Sequence, residues 1–333
     1  MVSVIVPVYQ VSEYVERCIR SVMAQSYQDL ECIIVDDCTI DDSIKKCEEL
    51  IRTYDGPVRF RMIHHDHNRG LSAARNTGTH EAKGDYLFYL DSDDYIAPDC
   101  IEKLVSAVLD DPTIEMVQGN CKMTDGSTES LLYRLDHSIK TLTNEDARKE
   151  FYNNRNIYIS VWNRLLKRSF VEEHHLYCRE GIVFEDLLWV FYLMKYLRKA
   201  CLCEDITYYY CLRQGSILVE AKPESVRCYP IMFNEILQNL TIDHEREEIN
   251  GYLYYFIKRY VSYVKVVSEF KETIRLYEAK AKQHGCWYVY MVLAAIGVIS
   301  HFGNPMEILK KMNSVRWRIR GKNVAHLANL LST

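Results

Sequence analysis

Residues Phe88 to Pro98 read FYLDSDDYIAP. Apolar bulk runs through Phe88, Tyr89 and Leu90, and then Asp91, Asp93 and Asp94 arrive within four positions. The first part reads as a strand buried on both faces. The second crowds three carboxylates at the strand's mouth, where like charges repel. One of them could cap the following helix. Three together are better explained by a divalent cation, because carboxylate oxygens suit a hard ion such as Mg2+ or Mn2+ that also takes substrate phosphates.

Working outward from this stretch, strand and helix signals alternate through the first ~115 residues, as the pattern rules predict. Val2–Val8, Leu30–Val35, Val58–His64 and Tyr86–Leu90 read as strands. Between them, helical spacing begins after Ser12, a candidate cap, again at Asp41, and again at Ser72. Such alternation predicts an α/β fold with a mostly parallel sheet flanked by helices, and ligands in such sheets bind beyond the carboxyl ends of the strands. Three of the four strands end in Pro7-Val8-Tyr9, Asp36-Asp37 and Asp91-Ser92-Asp93.

Further elements are expected at Ile101–Leu109, Met116–Met123, Thr143–Tyr152, Trp162–Phe170 and Val183–Lys199. Thr143 and Asp146 resemble a capping box. Past Pro223 the chain reads as mostly helical and tyrosine-rich. The expected organisation is an α/β region over 1–220, whose pattern changes at about 98, then a helical region over 221–333.

Bulk properties exclude several classes. The chain has 333 residues, a net charge of −5 and 26% charged residues, so it is globular and has no electrostatic case for nucleic-acid binding. Its twelve cysteines contain no CxxC pair and read as reduced core residues of a cytoplasmic protein. Neither GxxxxGK[ST] nor GxGxxG is present, which argues against a P-loop NTPase or a nicotinamide dehydrogenase. Trp287–Phe302 is a sixteen-residue apolar run, shorter than the roughly 20 residues a bilayer span needs. The segment Pro305–Thr333 carries Lys310, Lys311, Arg316, Arg318, Arg320 and Lys322 against Glu307. A basic tail beside an apolar helix fits peripheral contact with an anionic inner-membrane surface, or a buried helix followed by a solvated one.

Several motifs in order resemble the family 2 glycosyltransferases, which have the A-type glycosyltransferase (GT-A) fold. They are VSVIVPVYQVSEYVERCIRSVMAQSYQDLECIIVDDCTIDDS, NRGLSAARNTGTHEAKGDYLFYLDSDD, WNRLLKRSF, FEDLLW and YYYCLRQGSI, spanning Val2 to Ile217. The resemblance implies that Pro7 and Tyr9 line a nucleotide pocket, that Asp37 accepts from uracil N3–H while Asp36 shapes the turn, and that Asn68 contacts the nucleotide. It makes 1–220 the catalytic domain, with a nucleotide-binding half to about 98 and an acceptor half from about 99, and it places Arg75 and Asn76 on a helix behind the aspartates, with Arg75 among the nucleotide-sugar contacts. It implies that Asp91 binds the ribose beside Ser92, that Asp93 ligates the Mn2+ or Mg2+ bridging the diphosphate, and that Asp94 supports them or caps a helix. The acid pair Glu185-Asp186 would hold the general base, assigned to Asp186 with Glu185 orienting it or replacing it. Arg213 would reach the diphosphate or the acceptor, or lie free at the surface. Trp162, Asn163, Arg164 and Lys167 would floor the acceptor side.

The chemistry agrees with that assignment. Breaking the C1–O bond of a sugar nucleotide builds negative charge on its diphosphate, which a metal stabilises. An acceptor hydroxyl needs a carboxylate base, and one base opposite the leaving group gives inversion through an oxocarbenium-like state. The expected partners are a UDP-sugar donor and a glycan or lipid-linked glycan acceptor of a surface polysaccharide. Two other readings stand: a degenerate nucleotide-binding scaffold, and a nucleotidyltransferase, which would show a Gly- and Lys-rich N-terminal loop. Gln10 and Cys38-Thr39 depart from the family's usual Asn and Gly-Ser.

His64, His65 and His67 do not have zinc spacing, and His174-His175 read as solvated.

Overall fold

The first strand, β1 (Val2–Val8), is buried along its whole length, as a β-branched run with helices on both faces should be. A computed structural model describes residues 1–132, 135, 140–152, 156–213, 228–239, 279 and 282. After β1 come α1 (Val15–Met23), β2 (Leu30–Asp36), α2 (Ser43–Arg52), β3 (Arg59–His64), α3 (Leu71–Glu81), β4 (Tyr86–Tyr89) and β5 (Tyr95–Ile96). Then follow α4 (Cys100–Asp110), β6 (Met116–Thr124), β7 (Glu129–Leu131), β8 (Thr141–Thr143), α5 (Asn144–Tyr152), β9 (Arg164–Lys167), α6 (Arg168–Glu173), α7 (Asp186–Tyr196) and β10 (Lys199–Cys211). The chain divides into two compact units, Met1–Cys228 and Tyr229–Thr333. The helix α8 (Cys228–Asn239) runs across that boundary in sequence. Trp287–Phe302 and the basic tail lie outside the described residues.

One mixed sheet runs β3-β2-β1-β4-β9-β6-β10-β5, with β7 on β6 and β8 on β10. β3, β2, β1 and β4 are parallel, and so are β6 and β10. β9 lies antiparallel between β4 and β6 and joins the two halves. The expected α/β sheet flanked by helices is present, and its parallel strands direct their carboxyl ends to one side.

The helices sit where side-chain periodicity dictates. α1 buries Val15, Cys18, Ile19 and Val22, a single face at i, i+3, i+4 and i+7. Each buried side chain of valine or isoleucine size contributes roughly 1.5–3 kcal/mol. α3 lies directly on β1: a Cβ added at Gly78 would come within 2.3 Å of Ile5 Cγ2. That approach sets the height of α3, and with it the height of Arg75 three residues earlier.

Several local expectations need correction. Ser12 does not cap α1; the helix starts after Tyr14 without a side-chain cap, and the Ser12 amide donates to Asp41 Oδ2. Asp41 lies two residues before α2 and ties its start by accepting from the Ser43 amide and hydroxyl. At α5 one half of the expected capping box is present, the Asp146 amide donating to Thr143 Oγ1, while the Asp146 carboxylate accepts from the Thr143 hydroxyl. Asn163 and Arg164 are not an accessible floor, because both are fully buried. The Asn163 amide donates to the backbone of Gly119 and Asn120, and Arg164 donates to Gln118 and to the carbonyls of Ser160 and Tyr158. Trp162 stacks on Tyr208 at 4.6 Å. Asn163 and Arg164 are thus bonded to the protein interior where β9 enters the sheet. His174 is half-buried rather than solvated, stacked on Tyr196 at 4.6 Å. All eleven described cysteines are free thiols.

Candidate active site

The carboxyl end of β1 leads to Tyr9, 41% exposed, and Pro7 is buried within the strand. At the end of β2, Asp36 Oδ1 accepts from the Thr39 amide at 2.8 Å and so closes the turn. Asp37 is buried. Its Oδ1 meets His65 Nδ1 at 2.7 Å and the Arg69 amide at 2.8 Å, and its Oδ2 accepts from the Gly70 amide at 2.8 Å. Asp37 thus ties down the loop that carries Asn68, whose amide donates to the Asp37 carbonyl. A uracil N3–H would be a fourth bond to a carboxylate already accepting three.

Gln10 and Cys38, the two departures from the family pattern, both have positive φ, 53° and 58°. Asn and Gly are the residues that adopt this left-handed region at least cost.

Beyond β4 the three aspartates separate. Asp94 is buried and accepts from the Tyr208 hydroxyl and the Cys211 amide, both at 2.7 Å. Loss of water, then the charges of Asp93 and Asp91, push its carboxyl pKa well up. It supports the site from behind and caps no helix. Ser92 is buried beside it. Asp93 and Asp91 stay partly open, and each faces a guanidinium. Arg213 Nε meets Asp93 Oδ2 at 2.5 Å, and Arg75 Nη2 meets Asp91 Oδ1 at 2.8 Å. Arg213 lies two residues past the end of β10 rather than within it, and its side chain is 24% exposed. It is therefore not a free surface arginine.

Arg75 does more than stand behind the aspartates. Its Nη1 also meets Glu185 Oε1 at 2.5 Å and Asp186 Oδ1 at 3.3 Å. These acids open α7, following Phe184 at φ 63°, a left-handed conformation that is costly for an aromatic residue. Glu185 is nearly buried, whereas the Asp186 side chain keeps 25% of its surface exposed. Loss of water, then the charge of Glu185, push the Asp186 carboxyl pKa up, against the pull of Arg75. Solvent reaches Asp186, which tempers that push without reversing it. Asn76, next on α3, holds Cys178 through both its amide groups and so anchors the segment leading toward the acid pair.

Two cavities bracket the sheet. One, of about 330 Å3, lies between Arg69–Ser72 and Gly181–Val183, the latter ending two positions before Glu185. The other, about 640 Å3, lies at the amino ends of β6 and β10. Its main charged groups are already paired: Glu115 with Arg198, and Lys199 with Asp111. It is remote from the carboxylates.

Among the described residues no three of His, Cys, Asp and Glu group as a metal cage. A cation of the Mg2+ class needs only one or two carboxylates, with water and substrate phosphate completing its ligands. Asp93 fits that role. Its oxygens are hard donors, its side chain is 23% exposed, and the only side chain paired with it among the described residues is Arg213. Among the described residues no helix is long and apolar enough to cross a membrane.

Fold and site together define a sugar-transferring enzyme of the α/β, GT-A kind. The sequence profile of glycosyl transferase family 2 matches residues 3–174, just over half of the chain, and the chain belongs to this family. It is 28% identical over 228 residues to glycosyltransferase GlyG of Streptococcus pneumoniae serotype 4, covering 66% of this chain and 73% of GlyG. It is 33% identical over 180 residues to the putative glycosyltransferase EpsH of Bacillus subtilis, covering 53% of this chain and 49% of EpsH. Among solved structures, residues 1–349 of Staphylococcus aureus TarS, in complex with UDP-GlcNAc, superpose with a TM-score of 0.70 at 17% identity. That superposition covers 96% of this chain and 95% of the TarS chain. The mannosyltransferase PcManGT of Pyrobaculum calidifontis, in complex with GDP-Man and Mn2+, superposes with a TM-score of 0.57 at 15% identity, covering 99% and 84%. These likenesses establish the GT-A fold.

Sequence reading missed the partners of Arg75, the Tyr208–Asp94 lock and the His65–Asp37 pair. Arg75 did leave a signal: a single cation beside Ala73 and Ala74, one turn from Gly78, on a face too small-sided to be a surface. Tyr208 left none, lying among three consecutive tyrosines.

Proposed function

We propose that this chain is an inverting, metal-dependent glycosyltransferase. It moves a sugar from a UDP-sugar to a hydroxyl of a glycan or lipid-linked glycan in surface-polysaccharide synthesis, at the cytoplasmic side of the inner membrane. The observation that carries the reading is the convergence on Arg75 of Asp91, at the mouth of β4, with Glu185 and Asp186, at the start of α7. A donor-side carboxylate and a candidate base pair lie within the reach of one guanidinium. The TarS complex with UDP-GlcNAc and the PcManGT complex with Mn2+ support the donor class and the metal.

In this mechanism Asp186 takes the proton of the acceptor hydroxyl, the acceptor oxygen bonds to C1, and the C1–O bond to the diphosphate breaks. Asp186 has this role rather than Glu185 because it is the more exposed and the more weakly held by Arg75. Asp91 accepts from the ribose, and the exposed Tyr9, with Pro7 buried behind it in β1, flanks the uracil ring. Arg213, at Asp93, is placed to meet the charge that grows on the leaving diphosphate. Mn2+ or Mg2+ held through Asp93 would supply further stabilisation of that charge.

A panel of nucleotide sugars incubated with the protein, with and without Mn2+, tests the reading through UDP release. Metal-dependent release from at least one UDP-sugar is expected; no release and no UDP binding would reject it.

A further inference from the structure

We propose that Arg75 is a positioning residue, which binds no donor atom and instead sets the base carboxylate and the donor-side carboxylate as one unit. This assignment rests on the reading of Asp186 as the base.

The sequence reading placed Arg75 with the nucleotide-sugar contacts, and the geometry points elsewhere. Arg75 is 1% exposed. Both Nη atoms are engaged by carboxylates, and Nε is buried with no partner among the described residues. The Cys178 thiol also lies against the guanidinium. No face of the group is open to a ligand.

What the residue does follows from its three partners. Nη1 is shared unevenly, at 2.5 Å to Glu185 and 3.3 Å to Asp186. Glu185 takes the strong bond and fixes the first turn of α7. Asp186 takes the weak one, so it is oriented while its carboxylate stays reachable. Nη2 holds Asp91 on the opposite side of the group, at 2.8 Å. The planar fork of a guanidinium can serve all three, which a point charge cannot. It is also the cation that permits three carboxylates so close together. Arg164, which also acts on Asp186, is already bonded to Gln118 and two backbone carbonyls. Gly78, pressed on Ile5, fixes the depth at which α3 delivers the fork.

The test compares Arg75→Lys and Arg75→Gln with wild type. Three quantities are read: calorimetric UDP affinity with Mn2+, kcat and KM for whichever of UDP-glucose, UDP-galactose and their N-acetyl counterparts the wild type hydrolyses fastest, and the kcat–pH profile. In Arg75→Gln, kcat should fall about 100-fold, the size of a general-base contribution, while UDP affinity and KM, which Arg75 reaches only through Asp91, change by less than about tenfold. Arg75→Lys, which keeps the charge but not the fork, should fall about tenfold with the same split. The groups acting on Asp186 are Glu185, Arg75, Asp91 and Arg164. Removing the guanidinium should therefore move the rising limb of kcat to higher pH, a shift that a purely structural role would not produce. If Arg75→Gln does not fold, the Lys variant alone decides. UDP affinity falling in step with kcat would make Arg75 a donor contact and overturn the proposal. So would turnover within about threefold of wild type in a folded variant. A wild-type chain that binds no UDP and cleaves no UDP-sugar overturns the donor reading itself, and this assignment with it.

Discussion

The Tyr208 hydroxyl donates to Asp94 Oδ2 at 2.7 Å across 114 residues of chain. The Tyr208 hydroxyl oxygen accepts in turn from the Asp91 amide at 3.2 Å, and Asp94 Oδ1 accepts from the Cys211 amide at 2.7 Å. β10 is thereby fastened to the acidic loop at its base, and the direction of Asp91 and Asp93 depends on that fastening. Asp94→Ala leaves a buried hydroxyl and a buried amide without acceptors. It should cost about 2–6 kcal/mol, from the penalty of roughly 1–3 kcal/mol for each of the two unsatisfied groups. Urea denaturation measures the loss, and a cost below about 0.5 kcal/mol, the range of an ordinary surface change, would contradict the lock.

In the proposed mechanism the pH dependence of transfer follows from Asp186. Its carboxyl pKa is raised by lost hydration and by Glu185. A base must be ionised, so activity is low where Asp186 is protonated and rises with pH. The limb should lie well above the ordinary carboxylate range, and a kcat/KM profile of the free enzyme reads it directly. A limb centred near pH 4, where an unperturbed carboxylate titrates, would contradict the assignment.

Acid stability depends on a different group. Burial pushes Asp41 up, but bonds from Ser43, Thr39 and Ser12 outweigh it and hold the carboxyl at about 2, below its ordinary 3.8. A depressed folded-state pKa contributes stability above the unfolded value, and that stability is lost as pH falls through the folded one. Asp41→Asn should therefore be less stable than wild type at neutral pH and lose less stability between about pH 4 and pH 2. Parallel losses in the two proteins across that window would contradict the account.

The left-handed Cys38, at φ 58°, offers a gain. Cys38→Gly removes a backbone penalty of about 1–2 kcal/mol and adds back part of it as chain entropy, so a net gain of about 0.5–1 kcal/mol is expected. Thermal melts test it, and a lower melting temperature would contradict it.

Much of this architecture was legible along the chain. Periodicity marked β1 to β4 and the helices between them, because each element buries one face or two and its neighbours are close in sequence. The acids at the strand ends were legible because charge at the mouth of a buried strand has few structural explanations. What could not be read depends on contacts with distant residues. β9 looks like any short apolar run, and only its antiparallel place between β4 and β6 explains why Asn163 and Arg164 are buried among backbone groups instead of facing a substrate. Asp94 and Asp91 are alike in sequence, and a tyrosine from β10 makes one a buried support and leaves the other open. The role of Arg75 likewise needed three acids from two separate elements.

In the proposed mechanism the two acidic motifs divide the labour, Asp93 serving the donor and its metal, Asp186 serving the acceptor. Calorimetry of UDP with Mn2+, run beside turnover on Asp93→Ala and Asp186→Asn, tests this directly. Both variants should lose transfer, yet only Asp93→Ala should lose metal-dependent UDP affinity. Near-normal turnover in Asp186→Asn, or equal loss of UDP affinity in the two variants, would contradict it.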